Sequence, residues 1–113
     1  MAPEDFRRMA LSFPDAEQGS HFGNPDFRIK GKIFATLGGS TGRPVVQLTP
    51  EEQALLMEAE PGMFVPASGA WGRNGSTHIV LDHADEATVR DALERAYRKV
   101  STSKPRRRPA ARS

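Results

Sequence analysis

The stretch "DFRIKGKIFATLGG", residues 26–39, limits what this chain can fold into more than any other feature. Phe27 and Ile29 alternate with Arg28 and Lys30, Gly31 interrupts the run, and "KIFATL" resumes it before Gly38 and Gly39. A period of two suits a pleated strand with one buried face, and a glycine between two such runs supplies the positive φ of a tight turn. The segment is expected to be a β-hairpin, preceded by a short strand that ends near His21 and Phe22. An antiparallel sheet follows as the organising element.

The segments around it switch to helical spacing and back. "PEDFRRMALSF" sets Phe6, Met9, Ala10 and Phe13 on one helical face, with acids in the first turn and Pro14 as a stop. In "RPVVQLT", Val46 and Leu48 share a face opposite Val45 and Gln47, and the short link before it implies antiparallel pairing. "TPEEQALLMEAE" carries a capping box: Thr49 caps, Pro50 takes the first helical position and Glu52 closes the box. "PGMFVPASGAW" reads as irregular or weakly extended. "STHIVLD" is expected to be a strand with Ile79 and Leu81 inward and His78 and Val80 outward. Asp85 then caps a helix whose apolar stripe is Val89, Leu93, Ala96 and Val100.

The order helix, strands, helix, strand, helix defines an α+β fold, an antiparallel sheet with helices packed on one face. Such a sheet can leave its other face to solvent, and Arg28, Lys30, Gln47, His78 and Val80 are the residues assigned there. Trp71, the one tryptophan, stands between two glycines and ahead of the turn-forming pair Asn74-Gly75. It is expected to pack beside the sheet with its indole N–H at the rim.

With 113 residues and 37% hydrophobic content, the chain supports one core and one domain, placed at residues 1–102. The absence of cysteine excludes disulfides, thiolate chemistry and Cys-based metal centres. No stretch is long and apolar enough to span a bilayer, and the N-terminus lacks the order of a secretion signal, so a cytoplasmic protein with no membrane partner is expected. The net charge of +2 is uneven. Five of the 16 cations, Lys104, Arg106, Arg107, Arg108 and Arg112, lie in the Pro/Arg-rich tail at 103–113, leaving 11 cations against 14 acids, a body of net charge −3. Such a tail buries nothing and is expected to be disordered.

No catalytic constellation, metal set or cofactor motif emerges, and neither an enzyme nor a metal or cofactor binder is expected. His21 with Asp26 is the one acid–base pair on offer, in the loop "SHFGNPDF". Asp82, His83 and Asp85 lack a recognised ligand spacing. "LGGSTGRP" lacks the Gly-Lys-Ser/Thr ending of a phosphate loop and leads into a strand, so it reads as a hairpin loop. Two partner classes stay open. For DNA, the candidates are Arg28, Lys30, Lys32, Arg43 and Arg73, with Trp71 or Phe27 for stacking and the five tail cations for sequence-independent phosphate contacts. For a small molecule or a protein, the candidate groove is formed by His21, Phe27, Trp71 and His78, a reading favoured by the acidic body.

The ordered combination "HFGNPDFRIKGKIFATL", followed by "LTPEEQALL" and "STHIVLD", resembles the MmcQ/YjbR family from about Glu4 to Val100. The resemblance implies a CyaY-like α+β fold, frataxin-like in architecture and also described as a double wing. It implies a DNA-binding or regulatory role as well, a label that rests on shape, and fold alone does not carry function. One branch of that family has a basic segment with a tryptophan just before the final strand. Here Gly75 stands at that position, Arg73 is the segment's only cation, and Trp71 comes four residues earlier.

Overall fold

The structure, a computed structural model, describes residues 1–21, 23–38 and 43–102. Helix α1 spans Pro3–Leu11 and buries Phe6, Met9 and Ala10. Three strands follow, β1 Ala16–His21, β2 Asn24–Ile29 and β3 Lys32–Thr36, and then β4 Val45–Gln47. The β2–β3 turn places Lys30 at φ 53° and Gly31 at φ 81°. Positive φ at both central residues is the primed hairpin turn, whose twist matches that of the strands.

Helix α2, Pro50–Ala59, starts on the expected capping box: the Glu52 backbone N–H donates to Thr49 Oγ1 at 3.1 Å and the Thr49 N–H to Glu52 Oε1 at 3.3 Å. After it come β5 Phe64–Pro66, a one-turn helix α3 Gly69–Arg73, β6 Ser76–Ile79, a 3-10 turn at Leu81–His83, and α4 Glu86–Thr102. Asp85 caps α4, its Oδ2 accepting from the N–H and hydroxyl of Thr88, both at 3.0 Å. These bonds favour the carboxylate and hold the Asp85 pKa below its usual value.

The six strands run β1-β2-β3-β4-β6-β5, all neighbours antiparallel. The α+β fold read from the sequence is therefore the observed one. Phe6 from α1, Phe27, Phe34, Val46, Leu48, Phe64 and Ile79 from the sheet region, and Val89, Leu93 and Ala96 from α4 form one core. Phe6 meets Phe27 edge-on at 6.1 Å, and Phe13 stacks on Tyr97 at 5.0 Å, closing α1 and α4 over the sheet.

Three expectations need correction. "PGMFVPASGAW", read as irregular or weakly extended, is extended at β5 but ends in the helix α3, too short and too rich in Gly to show a period. The strand in "STHIVLD" stops at Ile79, so Leu81 falls in the 3-10 turn and is only partly buried. The hairpin also breaks strict alternation. Phe27 pairs with Ala35 but Arg28 pairs with Ile33, which leaves Phe34 as an extra residue on β3. This bulge lets Phe34 and Ala35 both reach the core at 0% exposure and turns Ile33 to the opposite face.

Candidate functional site

Cross-strand partners share a face, so the register defines the uncovered side of the sheet: Gly19, Asp26 and Arg28, then Ile33 and Thr36, then Val45 and Gln47, then Ser76 and His78. Gln47 lies here because Val46 and Leu48, its neighbours in sequence, are fully buried on the other side. Ser76 Oγ donates to Gln47 Oε1 at 2.7 Å, which fixes the amide's orientation.

Over the β3–β4 part of this face lies a groove of about 440 Å³ lined by Lys32, Ile33, Thr36, Gln47, Trp71, Lys99 and Val100. Trp71 is one of its lining residues. The indole is 73% exposed, which overturns the expectation that it packs beside the sheet. The cause is the glycine at either side of the helix end. A Cβ on Gly72 would lie 1.8 Å from the Ala67 carbonyl oxygen, and one on Gly75, at φ 108°, would lie 1.9 Å from that of Leu48. Backbone therefore packs directly on backbone at these points, the glycine side of α3 is the buried side, and Trp71 is left on the outer one. Gln53 ties the arrangement to α2, its Nε2 donating to the carbonyls of Gly72 and Ser76 and to Thr77 Oγ1.

The far rim comes from the last turn of α4, where Lys99 Nζ donates to the Leu48 carbonyl at 3.0 Å. An ammonium has three donors, so two remain for a ligand at the rim. Lys32 and Lys99 make the groove locally cationic, and no carboxylate is among its described lining residues. Elsewhere four arginines face acids on the helices: Arg7 with Glu4, Arg8 with Asp5, Arg95 with Asp91 and Glu52, and Arg98 with Glu94.

Of the cations expected to meet DNA that lie among the described residues, Lys32 alone lines this groove. Arg28 is engaged by Asp26, Nε donating to Oδ1 at 2.7 Å and Nη2 to Oδ2 at 3.1 Å. The bond to Asp26 raises the Arg28 pKa. Asp26 is itself fully buried, and Gly19 on the paired strand makes room, since a Cβ there would fall 2.8 Å from Arg28 Nε. Lys30 sits at the hairpin tip and Arg73 is exposed at the end of α3, two residues past Trp71. Arg43 lies elsewhere, beside Pro44, Val80 and Asp82. Lys104, Arg106, Arg107, Arg108 and Arg112 are outside the described residues, as is the "GSTG" of the glycine-rich loop.

The alternative groove of His21, Phe27, Trp71 and His78 does not form. Phe27 is 0% exposed on the core face against Phe6, on the opposite side from His78. The side chain of His21 is outside what the structure describes. Asp82, His83 and Asp85 are not brought together as ligands, and among the described residues no group of three His, Asp or Glu side chains is. Asp85 is instead committed to its helix cap.

His78 stands between Val45 and Val65 on the open face, its Nδ1 buried without a hydrogen-bond partner. Desolvation, with Arg43 as a secondary cause, lowers its pKa from the usual 6.5. A histidine so placed favours folding when neutral: the contribution is complete above the unfolded pKa and is lost as pH falls below it. The urea midpoint is expected to fall between about pH 7.5 and pH 5.5, and to fall less in His78→Gln. An equal fall in both proteins would assign the effect to other groups.

Comparison with known proteins bears on the whole body of the chain. A family model described as YjbR matches residues 11–99. The crystal structure of Deinococcus radiodurans protein DR2400, a domain described as DUF419, superposes with a TM-score of 0.73 at 17% identity, covering 90% of this chain and 83% of that one. That identity carries the fold alone. A comparison with curated proteins gave no significant match. No helix among the described residues is long and apolar enough to cross a membrane.

Proposed function

The chain belongs to the YjbR family, and from that premise we propose that it is a non-enzymatic nucleic-acid-binding module whose contact surface is the Trp71 groove. The observation that carries this reading is a largely exposed indole that lines one groove with two lysines, where the end of α4 meets the edge of the uncovered sheet face. An exposed aromatic offers a base a stacking surface, and ammonium groups at its margin meet phosphates. The acidic body does not oppose this, because Arg7, Arg8, Arg95 and Arg98 are matched with acids, and Lys32 and Lys99 both place positive charge in the groove that Trp71 lines. The five tail cations add phosphate contacts without sequence preference.

Binding is expected to weaken steeply with salt. Trp71→Ala removes a stacking partner worth about 1–3 kcal/mol, roughly 5- to 150-fold in Kd. Lys32→Ala and Lys99→Ala each lower the slope of log K against log salt by about 0.7–0.9. A chain ending at Thr102 loses slope in proportion to the tail contacts made but keeps its dependence on Trp71. Anisotropy of a labelled oligonucleotide measures all four. If the truncated chain does not bind even at low salt, or if Trp71→Ala leaves its affinity unchanged, the folded body is not the contact surface.

A further inference from the structure

We infer that the groove receives one unstacked base of a single strand, with Gln47 donating to the acceptor edge of that base; this rests on the nucleic-acid reading above. The groove draws its lining from the sheet residues Ile33, Thr36 and Gln47, from Trp71 of α3 and from the end of α4. Its volume of about 440 Å³ is within the range of small-ligand sites, enough for a nucleoside and far too small for a double helix. In a duplex both faces of each base are already stacked, so Trp71 can reach a base face there only by wedging or flipping. In a single strand the face is available at once, which is why open sheets bearing aromatics suit single-stranded ligands.

The polar lining supports the same ligand. Gln47 Oε1 is taken by the Ser76 hydroxyl, so the amide is held in one orientation, and Nε2 has no partner among the described residues. That nitrogen is a donor only. With Lys99 also donating, Lys32 adding positive charge, and no carboxylate among the described lining residues, the groove suits a ligand rich in acceptors: the carbonyl oxygens and ring nitrogens of a base, and the phosphates on either side of it. α3 has five residues, too few to enter a major groove as a recognition helix, so Trp71 acts as a platform.

The full-length protein tests this directly, because Trp71 is its only tryptophan and the sole source of indole emission. It is titrated at about 50 mM salt with a ten-nucleotide oligo-dT, with a duplex of the same length, and with thymidine monophosphate. Oligo-dT is expected to quench Trp71 and to bind at least tenfold more tightly than the duplex, and the monophosphate to bind far more weakly than either. Gln47→Ala is expected to weaken oligo-dT binding roughly three- to tenfold at unchanged salt slope, with unchanged circular dichroism confirming the fold. Equal or tighter duplex binding, or oligo-dT binding without quenching, overturns the inference and leaves nucleic-acid binding standing. Monophosphate binding as tight as oligo-dT also overturns it, in favour of a free-nucleotide site. Absence of binding to every ligand overturns the nucleic-acid reading itself.

Discussion

Gly75→Ala is expected to lower folding stability by about 3 kcal/mol or more, the combined effect of a strained backbone and a forced contact. Gly75 sits at φ 108°, a conformation that side-chain-bearing residues rarely adopt, and its Cβ would stand 1.9 Å from the Leu48 carbonyl oxygen. That carbonyl cannot simply move aside. It accepts from Lys99 Nζ, and the Leu48 N–H donates to the Gly75 carbonyl at 3.2 Å, joining the end of β4 to the start of β6. Urea denaturation reads the loss; a change below about 1 kcal/mol would mean that the close approach is not maintained in solution. The position matters to the site as well as to the fold, since the same contact sets α3 and the Lys99 rim of the groove.

The second large effect is expected at Phe27. Phe27→Ala removes a fully buried ring packed edge-on against Phe6 and costs about 3–5 kcal/mol. Trp71→Ala, at a side chain 73% exposed, is expected to change stability by no more than about 0.5 kcal/mol. The pair separates core from surface among residues that the sequence offered alike for stacking. Comparable losses from both would place Trp71 in the core and remove it from the groove's lining.

Local chemistry made much of this fold readable. Thr49 and Glu52 announce a helix start, Asp85 announces another, and the alternation around Gly31 announces a hairpin, because each device acts within a few residues. Val46 and Leu48 against Val45 and Gln47 gave the correct faces of β4 for the same reason. β5 and α3 were hidden because three residues ending in proline and five residues containing two glycines carry no period. The bulge at Phe34 was hidden too, since the unequal pairing of two strands leaves no mark in either sequence.

The candidate site was less legible than the fold. Lys32 and Trp71 were singled out from the sequence and Gln47 was assigned to the open face, but Lys99 and Thr36 were not, and all five meet only once the sheet and α4 are assembled. Lys99 in particular reads as an ordinary cation in the last turn of a helix. Arg28 shows the opposite case: it looks like a free cation on a hairpin, yet it is bound to a buried Asp26 over a glycine that leaves space for the pair. Trp71 was misjudged because its exposure is decided by which side of α3 is glycine and by what Gly72 and Gly75 press against.

The claim that the Trp71 groove is where the folded body meets nucleic acid is tested most directly by amide and indole NMR shifts of the full-length protein titrated with oligo-dT at low salt. The expected result is a contiguous set of changes at the Trp71 indole N–H, the Gln47 side-chain amide, and the backbone of 32–36 and 99–100, with β1 and the outer face of α1 unchanged. Changes confined to residues 103–113, or centred on another face of the sheet, would contradict it.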